Sequence, residues 1–149
     1  MNKQEKIIGI ICYANYCRSP VAEALLNERK FQNIQFISQG IDPKISSDMD
    51  PRSRKYLKDR INYSNIHTPR KITRESVNKL SLILCLDHFV LMHLNQKFPS
   101  AKEKIKIFSF KKPKTIIEDP YRFNEENYIK NMKKIDEVCL DFVEDDFHY

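Results

Sequence analysis

Apolar positions along this chain come in short unbroken runs separated by stretches of helical period. Ile7-Ile8-Gly9-Ile10-Ile11 has no alternation, which predicts a strand covered on both faces, as in a parallel sheet. Ile34-Gln35-Phe36-Ile37-Ser38, Leu80 through Cys85 and Ile105 through Phe108 read as three further strands. Between the first two, Val21, Ala22, Ala24, Leu25 and Leu26 alternate with polar residues as an amphipathic helix to about Phe31. Pro20 is suited to that helix's first position, and Pro51 to the first position of a second helix running through Tyr56 and Leu57. Tyr63 to Arg70 reads as a loop, and Thr73-Arg74-Glu75-Ser76 as the start of a short helix. Asp87 is placed to cap a helix with Val90, Leu91, Leu94 and Phe98 on one face. Lys111 to Glu118 reads as a basic loop leading to Asp119-Pro120. Asn124 is placed to cap a last helix through Tyr128, Met132, Ile135, Cys139 and Phe142. Strands alternating with helices predict right-handed crossovers. The expected fold is α/β: a four-stranded parallel sheet with helices on both faces, one domain spanning residues 1–149.

Composition narrows the function. At 149 residues the chain is long enough for a proper core, and no apolar run approaches membrane-spanning length. The polar start, Met1-Asn2-Lys3-Gln4-Glu5-Lys6, predicts no export signal and hence a cytoplasmic protein. Cys12, Cys17, Cys85 and Cys139 are not spaced as a disulfide scaffold, nor as zinc pairs. A formal net charge of +6 suits an anionic substrate. The basic residues are scattered and no nucleic-acid motif accompanies them, so neither nucleic acid nor membrane is the expected partner.

The chemistry concentrates in Cys12-Tyr13-Ala14-Asn15-Tyr16-Cys17-Arg18-Ser19-Pro20, between the first strand and the first helix. Unpaired backbone N–H groups and the helix dipole converge there, a setting that binds phosphate-like anions. Cys12 adds a nucleophile whose reactive form is the thiolate. Arg18 adds a bidentate clamp for phosphate oxygens. Cys-x5-Arg-Ser is the chemistry of phosphate-ester cleavage through a phosphocysteine. Ligands of such sheets bind at the carboxyl ends of strands, where Cys12 falls. Ser19 is suited to cap the helix. Asn15 tolerates the left-handed backbone that a tight anion loop needs.

On these residues the chain resembles the low-molecular-weight protein tyrosine phosphatases, which carry Cys-x-Gly-Asn-x-Cys-Arg-Ser-Pro after the first strand. One fixed position differs, Ala14 standing where the family has glycine. Asp119-Pro120-Tyr121 stands where the family has its second motif, and Met49 to Ser53, His67 to Thr73 and Leu84 to Asp87 add further echoes. The resemblance implies that residues Tyr13, Ala14, Asn15, Tyr16, Cys17 and Ser19 form the phosphate-binding loop. It implies that Asp119 is the general acid and base and that Ser19 donates to the Cys12 thiolate. It also implies that Ser38 and His67 hold Asn15, and that Tyr121 walls the pocket. Substrates would be phosphotyrosyl protein or small aryl phosphate, with no cofactor and no metal. In the family, a Cys12–Cys17 disulfide would protect the nucleophile from over-oxidation; a packed loop thiol is the alternative for Cys17. Core packing is the reading for Cys85 and Cys139.

Two departures bear on substrate. The segment Ile41-Asp42-Pro43-Lys44-Ile45 offers no aromatic wall, and Tyr13 stands to supply the missing ring. At position 14 a Cβ is expected to cost roughly 1–3 kcal/mol if φ is positive. With negative φ it would instead narrow the pocket mouth. Two rival readings stay open. A thioredoxin-coupled arsenate reductase would use Cys85 as its second relay thiol, but Met92 stands near the position of the third. An inactive phosphoprotein-binding module would keep the loop without the reaction.

Overall fold

The structure, a computed structural model, describes residues 5–148. Residues 1–4, which carry most of the polar start, lie outside the described residues. Four parallel strands, β1 (Lys6–Cys12), β2 (Ile34–Gly40), β3 (Leu82–Cys85) and β4 (Ile105–Ile107), form one sheet in the order β2-β1-β3-β4. The helices are α1 (Ser19–Glu28), α2 (Pro51–Ile61), α3 (Arg74–Lys79), α4 (His88–Lys97) and α5 (Glu125–Asp141). Two 3-10 turns, Pro99–Lys104 and Glu144–Phe147, escaped the pattern reading, because segments this short carry no period of their own.

The central strand explains its own composition. Ile8, Ile10 and Cys12 join the core beneath α1, α2 and α5, whereas Ile11 joins the core beneath α3 and α4. Both faces of β1 are covered, so neither can be polar. Tyr128, Met132, Ile135 and Cys139 of α5 are buried on the first face, with Phe142 just past the helix end. Val90, Leu94 and Phe98 are buried on the second. Among the described residues no helix is long and apolar enough to cross a membrane.

Boundaries differ from expectation where local chemistry intervenes. α1 stops at Glu28, short of Phe31, because Lys30 turns left-handed at φ 57°. β3 begins at Leu82, two residues late, because Leu80 closes α3 with its N–H on the carbonyls of Ser76 and Val77. α1 begins at Ser19, which puts Pro20 at the second helical position. Asp50, Thr73, Asp87 and Asn124 each cap their helix through the side chain. Registry brings Cys12 opposite Gly40, and Ile11 opposite Cys85, so three strands end together. The chain goes to β2 on one side of β1 and to β3 on the other, which opens a crevice above Cys12.

The edge strand β2 is closed off by α1. The Asn27 amide bonds both the N–H and the C=O of Phe36, and Glu23 Oε1 accepts the Ser38 N–H at 3.0 Å. These contacts satisfy backbone groups that an open edge would offer to another chain. Burial pushes the Glu23 carboxyl up to about 7. An unfolded glutamate titrates near about 4.3. The folded protein therefore keeps a proton that the unfolded chain releases, and stability falls as pH rises between these values. Glu23→Gln keeps the acceptor and removes the titration. Denaturant melts should show the variant gaining about 1–3 kcal/mol on the parent between pH 5 and pH 8; a pH-independent difference would contradict the assignment.

Candidate active site

The loop between β1 and α1 is held by its carbonyls. Cys12 O accepts from Ile41 N–H at 3.3 Å, Tyr13 O from Asp42 N–H at 2.8 Å and Ala14 O from Lys44 N–H at 3.0 Å. Asn15 O accepts from His67 Nε2 at 2.9 Å, Tyr16 O from Asp50 N–H at 3.0 Å and Cys17 O from the Ser53 hydroxyl at 2.8 Å. The peptides are trans, and in a trans peptide the N–H points opposite the C=O. With these carbonyls drawn outward, the N–H groups of residues 13 to 18 face inward. Among the described residues none of those N–H groups has a protein partner. The result is an anion cradle at the N-terminus of α1.

Turning the chain so tightly needs one left-handed residue, and Asn15 supplies it at φ 50°. Asn15 also begins a directed series of hydrogen bonds. Arg70 N–H donates to Asn15 Oδ1, which turns Nδ2 toward Ser19 Oγ at 2.9 Å. Ser19 Oγ thus accepts from Asn15 and has its own proton to donate to Cys12 Sγ, 2.9 Å away. The expectation that Ser19 caps α1 is corrected: Arg18 is the cap residue, with no side-chain cap bond. Ser19 is spent on the sulfur instead. Burial lowers His67 below its usual value, so it is a neutral ring donating from Nε2.

Ser38 is a second correction. Its backbone N–H goes to Glu23, its buried hydroxyl has no hydrogen-bond partner among the described residues, and the Asn15 side chain turns to Ser19 and Arg70 instead. At position 14, Ala14 is not among the residues of positive φ, so of the two readings given for it the strained one does not apply. The glycine this turn requires is Gly40. A Cβ on Gly40 would lie 2.8 Å from Tyr13 O and Asn15 N, both backbone atoms. No local signal in the sequence marks it.

Arg18 is 2% exposed, and its Nη1 donates to Asp87 Oδ2 at 2.9 Å and to Ile117 O at 3.0 Å. Asp87 meanwhile caps α4 through Oδ1. Both bonds leave from Nη1, so Nε and Nη2 are the edge offered to an anion. Cys12, Tyr13, Ala14, Tyr16, Cys17, Arg18, Lys44, Asp119 and Tyr121 line one cavity of about 260 Å³. Tyr16 and Tyr121 meet edge to face at 6.1 Å, so Tyr16 is a wall as well as a loop residue. Tyr13 leans on Phe89, with centroids 6.1 Å apart.

Asp119 is exposed at the cavity rim, its Oδ1 accepting Tyr121 N–H at 3.1 Å. Its segment is pinned by Arg52, which sequence reading left without a role. Arg52 pairs with Asp50, donates to the carbonyls of Tyr121 and Phe123 at 2.9 Å, and stacks 3.9 Å from the Tyr128 centroid. Asp50 in turn holds Tyr16 O, so one ion pair ties the acid segment to the anion loop.

Burial pushes the Cys17 thiol up to about 12. Cys85 and Cys139 are buried in the two cores, and burial raises both thiols. Met92 lies exposed on α4, where a relay would need a thiol. Among the described residues no three metal-binding side chains cluster.

The family described as low molecular weight phosphotyrosine protein phosphatase matches residues 7–145. A pig protein of that name is 32% identical, over 93% of this chain and 94% of its own length. The Vibrio cholerae low molecular weight phosphotyrosine phosphatase superposes with a TM-score of 0.84 at 24% identity, covering 91% of this chain and 92% of that one. The arginine phosphatase YwlE of Geobacillus stearothermophilus superposes with a TM-score of 0.83 at 22% identity, covering 90% and 88%. Identities this low make these two structures evidence of a shared fold.

Gly40→Ala tests the close approach of β2 to the loop. The added methyl meets backbone, which yields less readily than a side chain, so stability should fall by about 1–3 kcal/mol. Affinity for inorganic phosphate should fall with it. Unchanged stability and phosphate affinity would show that the loop has slack.

Proposed function

The chain belongs to the low molecular weight phosphotyrosine protein phosphatase family and is a cysteine-dependent phosphatase, and we propose that it cleaves phosphotyrosyl protein or small aryl phosphates with Cys12, Arg18 and Asp119. The observation that supports this most is the shared cavity. Cys12, Arg18 and Asp119 line one space, beside loop N–H groups that have no protein partner among the described residues.

The Cys12 thiolate attacks phosphorus, and the bond from phosphorus to the leaving oxygen breaks as the S–P bond forms. Asp119 gives its proton to the leaving oxygen. Arg18 and the loop N–H groups hold the three equatorial oxygens, where charge gathers in the transition state. Water then attacks phosphorus while Asp119 takes its proton, and the S–P bond breaks. Ser19 O–H stabilises the departing thiolate. Three tyrosines at the rim, Tyr13, Tyr16 and Tyr121, suit an aromatic leaving group.

The reading needs no cofactor, metal, nucleic acid or membrane partner. A cytoplasmic location belongs to it, in keeping with four free cysteines. Cys17 enters as the thiol that closes on an oxidised Cys12; it waits there in the neutral form.

The test is a leaving-group series. Cys12→Ser should abolish turnover of p-nitrophenyl phosphate while still binding phosphate. Asp119→Asn should cost about 10²–10⁴-fold on phenyl phosphate and far less on esters of acidic phenols. Turnover surviving in Cys12→Ser would defeat the phosphocysteine route. A uniform loss across the series would remove Asp119 as the acid.

A further inference from the structure

Lys44 sits at the cavity mouth, and among the described residues it has no carboxylate partner. Its position is set by backbone. The N–H groups of Ile41, Asp42 and Lys44 bond the carbonyls of Cys12, Tyr13 and Ala14, and Pro43, which has no N–H, is the residue skipped. The 41–44 segment therefore runs along the anion loop as a fixed rail, and the Lys44 N–H bonds Ala14 O at 3.0 Å, which sets the root of its side chain beside the loop. Its Nζ ends 3.4 Å from Tyr121 Oη, 5.1 Å from the Tyr121 centroid and 5.4 Å from the Tyr16 centroid. Two rings thus hold the stem and attract the charge.

The other charges around the cavity are already committed. Arg18 is matched by Asp87, and Arg52 by Asp50. Asp119 is the acid in the mechanism above, and its Oδ1 accepts the Tyr121 N–H. Among the described residues Lys44 makes no ion pair, although it lines the same space as the Cys12 sulfur. It stands outside the phosphate cradle, since the cradle is built from backbone N–H and Arg18. What it faces is the portion of substrate beyond the ester oxygen.

We infer that Lys44 is a specificity-determining residue that selects phosphotyrosyl substrates with a carboxylate beside the phosphotyrosine and works against phosphoarginine. This rests on the phosphatase reading above. A carboxylate flanking the phosphotyrosine meets a cation whose side chain is already ordered by two rings, so little rotamer freedom is lost on pairing. An exposed pair of this kind is worth about three- to tenfold in kcat/KM, less at high salt. A phosphoarginine would instead carry a guanidinium leaving group into the same corner, where like charges repel. The fold is shared with an arginine phosphatase, so the fold leaves this choice to the residues at the mouth.

The experiment compares two phosphotyrosyl peptides, identical except for Glu or Gln beside the phosphotyrosine, and a phosphoarginyl counterpart. The parent, Lys44→Met and Lys44→Glu are assayed at low and at high salt, with circular dichroism confirming that each is folded. The quantity read is the Glu-to-Gln ratio of kcat/KM, whatever the common rate becomes. The parent should favour Glu about three- to tenfold at low salt. Lys44→Met should bring the ratio to about one, and Lys44→Glu should invert it. A ratio of one in the parent, a ratio that survives Lys44→Met, or faster turnover of the phosphoarginyl peptide would each overturn the inference. Parent turnover of p-nitrophenyl phosphate tells the two failures apart. With turnover and a flat ratio, the role of Lys44 falls alone; with no turnover of any aryl phosphate, the phosphatase reading falls and takes the inference with it.

Discussion

The site depends on where six carbonyl oxygens go. A loop can present its N–H groups to one point only if the carbonyls on the far side of each peptide are satisfied elsewhere, because a buried unpaired carbonyl is costly. Here each carbonyl from Cys12 to Cys17 has its own donor, and the donors come from the 41–44 rail, His67, Asp50 and Ser53. The cradle is built before any anion arrives, so little reorganisation accompanies binding.

That requirement accounts for much of what surrounds the loop. The rail must run close to the loop, which demands Gly40 at the end of β2. His67 must donate, and the Asn15 carbonyl 2.9 Å from Nε2 fixes the ring proton on that nitrogen. Asp50 gives its backbone N–H to Tyr16 O and its carboxylate to Arg52, which carries the register of the loop to the Asp119 segment. Arg18 and Asp87 form a pair with one fully buried partner. Such pairs add little net stability, because desolvation offsets the attraction. Their worth here is orientation: Asp87 fixes one edge of the guanidinium and leaves the other toward the cavity.

Legibility in the sequence followed the range of the interactions. The strands and the caps Asp87 and Asn124 were readable because they rest on local period and local hydrogen bonding. So was the loop chemistry, since Cys12, Arg18 and Ser19 lie within one short segment. Ser19 reads both as a cap and as a donor to the sulfur, because a hydroxyl at a helix start has two uses; the position of Asn15 leaves only the second. Arg52 and Gly40 act across the sheet or between distant segments, where no spacing rule applies. Lys44 is not legible in the sequence, because its charge gains meaning only beside Tyr16 and Tyr121, which lie at other positions along the chain. Ala14 looked like a strained substitution because glycine usually signals positive φ; here the left-handed residue is its neighbour, Asn15.

The central claim is that the N–H groups of residues 13 to 18 form a preassembled anion site. A titration of nitrogen-15-labelled protein with inorganic phosphate, followed by amide resonances, tests it most directly. The account predicts that these amides move downfield together and saturably, as N–H groups do on bonding an anion. The amides of Ile41, Asp42 and Lys44, already bonded to the loop carbonyls, should move little. Binding that leaves residues 13 to 18 unmoved, or that shifts the rail as strongly as the loop, would contradict a preassembled cradle.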